Sequence, residues 1–288
     1  MDNNDKDVDK ILGMNRTMFF VIVALLCILS LSVGVYAQIF YRYSDIDPFM
    51  LGIGISKKQE KEEVIALKNS FDNIFTNDIT GQTKVAVKKK DSNKDIVYTY
   101  QTVKESEEDS YNIEAYVPHI NIDSSYAERL NNYIDKDYVD RIEKITQGSS
   151  ENVEYAVTYK AYLNGDLLSL VIKETAHEGK EAQCTKIKTY NYFLGKDTEV
   201  SIMDIIEAKN LDQKEMQEKV YYDIDEINKK MEQLKAQNYS YKTRDKNDDM
   251  YKIENTTNFI VNNDGYLYII YSYGNNENTS TIDVVIFE

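Results

Sequence analysis

The uncharged run Met18–Phe40, MFFVIVALLCILSLSVGVYAQIF, constrains this chain more than any other stretch. At about 1.5 Å of rise per helical residue it reaches across a hydrocarbon layer of roughly 30 Å. No comparably apolar run occurs elsewhere, so one membrane segment is predicted. Val35-Tyr36-Ala37 would suit signal-peptide cleavage before Gln38. The apolar run continues through Ile39, Phe40 and Tyr41, however, and this favours an uncleaved anchor. Lys6, Lys10 and Arg16 precede the segment and only Arg42 follows closely, which predicts the N-terminus inside and the remainder outside. The expected organisation is a short cytoplasmic tail over 1–17, a transmembrane helix over 18–40, a juxtamembrane link and helix over 41–80, and an extracytoplasmic domain over 81–288.

The charged residues of 1–42 cancel, so the net charge of −15 falls on the large C-terminal part. An acidic domain of this kind does not hold nucleic acid or anionic lipid by bulk charge. Cys27 and Cys184 lie too far apart in context to build a disulfide framework. Low proline, absent tryptophan and abundant Lys, Asn, Ile and Tyr suggest an AT-rich bacterial coding bias.

The hydrophobic pattern beyond the link predicts an α+β domain of antiparallel strands packed with two or three helices. Val64, Leu67, Phe71, Ile74 and Phe75 form one stripe of a helix over 57–76. It either docks on the domain or meets a partner helix. Strands are expected over 96–100 and 111–117, the second ended by Pro118. A helix follows from Ser125, with Ser125 and Glu128 as a capping box and Tyr126, Leu130, Ile134, Tyr138, Ile142 and Ile145 as its buried face. Residues 153–163 and 167–173 form a hairpin around Asn164-Gly165, read as a type I′ turn. A strand over 183–193, a capped helix from Ser201 and a long helix over 212–237 come next. Three strands over 257–262, 266–273 and 281–287 close the chain.

No catalytic set is legible. The two histidines, His119 and His177, are too few for a triad or an H-E-x-x-H site, and no P-loop, G-x-S-x-G or G-x-G-x-x-G occurs. No enzyme, metal or cofactor is expected. The acids at Asp245, Asp248 and Asp249 lack the glycine and terminal glutamate of an EF-hand. Two features invite a binding role. Glu174-Thr175-Ala176-His177-Glu178-Gly179 is placed between two strands, with Glu174, His177 and Glu178 as candidate ligand-binding residues. The 24 tyrosines suit a protein or glycan surface where exposed, and cover sheet faces where buried.

These residues carry a resemblance. Leu168-Ser169-Leu170-Val171, Ala176-His177-Glu178-Gly179, Thr189-Tyr190-Asn191-Tyr192, the turn at Gly195-Lys196 and the run Val200–Ile206 follow in order. Asn258–Val261, Asp264–Ile269 and Ile282–Phe287 complete the pattern. Over about residues 95–288 the chain resembles the extracytoplasmic domain of lysozyme-sensing (RsiV-type) anti-sigma factors and of related membrane-anchored Firmicutes proteins. Glu174-Thr175 stand where that family has paired glycines, and Glu178 interrupts its Ala-His-Gly. The resemblance implies a membrane-anchored, non-catalytic binding or sensing domain of the cell envelope, with peptidoglycan or a lysozyme-like protein as partner. Two alternatives are a short-tailed anti-sigma regulator, contacting a sigma factor through Val8, Ile11, Leu12 and Met14, and an enzyme modifying envelope polymers.

Overall fold

The computed structural model describes residues 10–11, 14–15, 61–148, 152–235, 243–271 and 282–288. The expected membrane helix at 18–40 and most of the tail lie outside the described residues. Among the described residues no helix is long and apolar enough to cross a membrane. Lys10–Ile11 and Met14–Asn15 form a minimal antiparallel pair. The compact body is Glu62–Glu288.

Among the described residues that body is α+β, with two sheets and five α-helices, two of them joined through a short π turn. In chain order it runs α1 (Glu62–Asn69), β1 (Ile79–Thr83), β2 (Val97–Glu107), β3 (Tyr111–Ile120), α2 (Ser125–Ile134) and α3 (Asp140–Gly148), the last two forming one continuous helical rod. Then come β4 (Val153–Gly165), β5 (Leu167–Glu178), β6 (Cys184–Phe193), β7 (Thr198–Glu199), α4 (Ile202–Lys209), α5 (Gln213–Lys235), β8 (Phe259–Val261), β9 (Leu267–Tyr271) and β10 (Asp283–Phe287). The large sheet has the order β2-β3-β4-β5-β6-β7, with β1 added beside β4; the small sheet is β8-β9-β10.

The large sheet is mixed, which the hairpin signals alone do not predict. β4 runs parallel to β3 over Val153–Val157 and parallel to β1 over Ala161–Gly165. Parallel neighbours need a crossover, and α2–α3 supplies the one between β3 and β4. The rod therefore lies on the sheet face formed by Ile113, Ala115, Tyr155, Val157, Leu170 and Ile172. Val171 and Ile187 point to the opposite face, where Ile260, Tyr268 and Ile286 of the small sheet meet them together with Val64 and Phe71. The small sheet's other face is covered by α4 and α5 through Ile205, Met216, Val220 and Ile224. The layers run rod, large sheet, small sheet, helix pair. Ser169 ties the two sheets: its hydroxyl donates to Asn191 Oδ1 at 2.7 Å and accepts from the Val261 N–H at 3.1 Å.

Local boundaries depart from the sequence reading for identifiable reasons. The helix expected over 57–76 is described only as Glu62–Asn69, followed by a 3-10 turn at Phe71–Asn73. Its stripe docks on the body, and Lys68 Nζ reaches Asp223 Oδ2 of α5 at 2.6 Å. Pro118 does not end β3. A register shift between Thr99 and Gln101 places Thr99 opposite Pro118, so the ladder passes the missing N–H. The hairpin turn sits one residue later than expected. Asn164 pairs with Leu167, leaving Gly165-Asp166 as the loop, and of these Gly165 alone has positive φ, the pattern of a type II′ turn. Asn164 is occupied elsewhere, donating from Nδ2 to the Asn262 carbonyl at 2.9 Å.

The cap of α2 is Ser124, not Ser125. Ser124 is extended, and its Oγ accepts from the Ala127 N–H at 3.0 Å while meeting the Tyr192 hydroxyl at 3.1 Å. Ser124→Ala is expected to cost about 1 kcal/mol in a urea titration, and an unchanged midpoint would remove the cap from the account. The Ser201–Asp204 capping box is present in both directions.

One sequence irregularity has a direct structural counterpart. The buried stripe Tyr126, Leu130, Ile134, Tyr138, Ile142 advances by four at every step. In an α-helix each such step overshoots a full turn by about 40°, so the stripe would rotate off the sheet. The rod corrects this with a π turn at Asp135–Val139, where the Asp140 N–H donates to the Asp135 carbonyl. Leu130, Ile134, Tyr138 and Ile142 all remain buried.

Candidate functional site

Keeping the core stripe on the sheet leaves a second stripe beside it, Arg129, Tyr133, Asp137 and Arg141, with the partly buried Tyr126 at the head of both. With the facing side chains of β6 it walls a groove of about 860 Å³. Lys186, Lys188 and Tyr190 form the opposite wall by strand alternation, Glu174 and Tyr138 contribute to the lining, and Thr257 and Asn258 line it before β8.

Several of its charges are paired. Arg141 Nη1 lies 2.9 Å from Glu174 Oε1 and Nη2 lies 2.5 Å from Glu178 Oε1. The guanidinium also sits over the Tyr155 ring, 5.2 Å from its centroid. Lys188 pairs with Asp137 of the π turn. Arg129 lies 5.3 Å from the Tyr126 ring centroid. Burial pushes the Tyr138 and Tyr190 phenols well above their ordinary range, so both stay protonated at neutral pH. Tyr190 is 7% exposed, and its hydroxyl has no hydrogen-bond partner among the described residues.

The sequence candidates divide. Residues 174–178 are not a loop; β5 runs through Glu178, pairing with β4 along its length and with β6 as far as Ala176. Strand alternation then puts Glu174 and Glu178 on the rod face, both on Arg141, and sends His177 to the other face. There its Nδ1 lies 3.9 Å from Glu154 Oε2. Glu174 and His177 therefore stand on opposite faces of the sheet. Among the described residues no group of three His, Cys, Asp or Glu side chains is placed to hold a metal ion. Sequence reasoning passed over Arg129, Tyr133, Arg141, Lys186 and Lys188. The signal for Arg129, Tyr133 and Arg141 was a second stripe at spacings of three and four, offset from the apolar one; for Lys186 and Lys188 it was the period-two alternation that sets them on one face with Tyr190.

His119 stands outside the groove lining. Its Nε2 is 2.7 Å from Asp135 Oδ1, and its ring stacks on Tyr100 at 3.8 Å and 3°. Burial lowers its pKa below the ordinary 6.5, opposed by Asp135 and aided by Lys90 and Lys94. The folded state thus binds this proton less readily than the unfolded chain. The associated stability is full above about pH 6.5 and is lost as pH falls through the folded value. Thermal melts between pH 7.5 and 5 are expected to decline less steeply for His119→Gln than for the parent; equal slopes would contradict this.

Comparisons with known proteins add fold likeness only. The chain is similar to the crystal structure of a DUF3298 family protein from Pseudomonas aeruginosa PAO1, with TM-score 0.37 and 9% identity over 62% of this chain and 82% of that one. It is also similar to a DUF3298 family member from Bacteroides fragilis, with TM-score 0.32 and 12% identity over 56% and 74%. At these scores the likeness carries no argument about family or function. No protein-family model matches the chain. No curated protein matches it either. The resemblance to lysozyme-sensing anti-sigma domains remains an expectation from the sequence.

Proposed function

We propose that this chain is a membrane-anchored module, held by residues 18–40, that presents the Glu62–Glu288 body outside the cell and binds or senses an envelope component without turning it over. The observation that carries this reading is the groove beside the π turn. It combines tyrosine side chains with paired and unpaired cations in one depression, the composition of a recognition surface. The two histidines stand elsewhere, one engaged with Asp135 and the other on the opposite sheet face. The residue type best matched to proton transfer at neutral pH is therefore not at the groove.

The test is sedimentation of the purified full chain with insoluble peptidoglycan, alongside capture by an immobilised lysozyme. Saturable binding to either, weakened at least fivefold by Tyr133→Ala, is the expected result. Tyr133 is 56% exposed, so its truncation leaves the core intact. Binding to neither would overturn the envelope reading.

A further inference from the structure

We propose that the groove takes a linear acidic glycan, its carboxylates meeting Arg129 and Lys186 and its sugar rings lying on Tyr126 and Tyr133; this rests on the binding reading above and names the ligand's chemistry. Charge is the first observation. The chain carries −15 overall, yet the groove gathers Arg129, Arg141, Lys186 and Lys188 against Asp137, Glu174 and Glu199. Arg141 and Lys188 are already held by carboxylates. Among the described residues Arg129 and Lys186 make no ion pair, so two cations on opposite walls remain for a ligand. A guanidinium and an ammonium in a half-enclosed groove attract carboxylates at contact range, while the acidic surface beyond about 10 Å is screened at 0.1 M salt.

Shape and ring placement are the second. Tyr126 and Tyr133 lie seven residues apart on one helical stripe, about 10 Å along the rod. That spacing spans about two sugar residues, so it suits alternate rings of a chain polymer better than one compact solute. Sugar rings present apolar C–H faces to aromatic rings and hydroxyls to the polar groups beside them. The buried Tyr190 hydroxyl, which lacks a partner among the described residues, is such a group on the groove wall.

An acidic peptide fits less well. Extended peptides gain most from adding to a free strand edge. At this wall the Thr189 N–H already donates to Asn258 Oδ1 at 3.2 Å, and the Thr189 hydroxyl accepts from the Phe259 N–H at 3.1 Å.

Calorimetric titration of the full chain with a polygalacturonate oligomer tests this, beside a neutral chitin oligomer of equal length and a poly-glutamate of equal charge. Expected is saturable binding of the polyuronate, at least tenfold weaker binding of both comparators, and weakening by salt. Arg129→Ala with Lys186→Ala should weaken polyuronate at least tenfold at unchanged melting temperature, and Arg129→Lys with Lys186→Arg should hold most of the affinity. Poly-glutamate binding as tightly, a neutral oligomer binding as tightly, or indifference to the alanine pair would each overturn the assignment. If polyuronate fails while insoluble peptidoglycan still sediments the same preparation, the acidic-glycan assignment falls and the envelope reading stands. If polyuronate, peptidoglycan and lysozyme all fail to bind, both fall.

Discussion

Gly81→Ala is expected to destabilise the body by about 4 kcal/mol or more, a large fraction of the roughly 5–15 kcal/mol that holds a domain together. Two effects act together. Gly81 has φ +97°, a region that costs an L-residue about 1–3 kcal/mol. A Cβ there would also stand 2.1 Å from the Leu163 carbonyl oxygen. That oxygen belongs to the backbone of β4, so no rotamer change relieves the clash. β1 would have to lift from the parallel register that sets Gly81 opposite Leu163. Gly165 and Gly148 separate the two effects. Gly165 has φ +64° and nothing near its missing Cβ, so alanine there should cost about 1–2 kcal/mol from backbone strain alone. Gly148 has neither positive φ nor a neighbour within 4 Å, and alanine there should be neutral within about 0.5 kcal/mol. Chemical denaturation of the three variants measures the series. An unfolding midpoint for Gly81→Ala equal to that of Gly165→Ala would show that β1 yields at little cost.

Asp283→Asn is expected to cost about 3–5 kcal/mol, the range for removing one member of a buried ion pair. Arg244 and Asp283 are 2% and 3% exposed, and the pair is two-pronged: Nε donates to Oδ2 at 2.9 Å and Nη2 to Oδ1 at 2.8 Å. The Tyr251 hydroxyl donates to the same Oδ2 at 3.3 Å, and Asn228 of α5 clamps the Arg244 backbone at 2.9 and 2.8 Å. The Asp283 carboxylate of β10 thus holds the 244–251 segment, which Asn228 ties in turn to α5. Asparagine keeps the size and an acceptor for Tyr251 but takes the Asp283 charge away from the buried guanidinium. Replacing both partners by apolar residues, Arg244→Met with Asp283→Leu, should cost less than Asp283→Asn alone, because the pair's two charges are removed together. A double variant as unstable as the sum of its singles would show that shape, and not charge, sets the cost.

Much of the body's layout follows from patterns visible in one dimension. The alternation of Val153 to Leu163 makes a half-buried strand wherever it is placed, and the four-residue steps from Tyr126 to Ile142 make a rod that needs a π turn to keep one face on a sheet. The Ser201–Asp204 box starts its helix with groups only three residues apart. Such features are local, so the residues that decide them are neighbours in the chain.

What the tertiary structure alone decided is which neighbours each strand takes. β1 escapes the period-two signal because Ile79–Thr83 contains Gly81, whose role is close approach to β4 and not side-chain packing. The parallel pairings of β4 depend on a crossover whose length does not reveal its partner. Residues 174–178 read as a loop because Glu, Thr and His look polar, although the strand extends through them. Alternation across that strand turned Glu174 toward Arg141 and His177 toward Glu154, separating two residues that lie three apart in sequence. The groove was illegible for the same reason. Arg129 and Lys186 are 57 residues apart and meet one depression only because the rod crosses the face on which Lys186 stands. The sequence by itself determined periods, caps and the uncharged run at 18–40; long-range pairing decided the faces, and the faces decided the site.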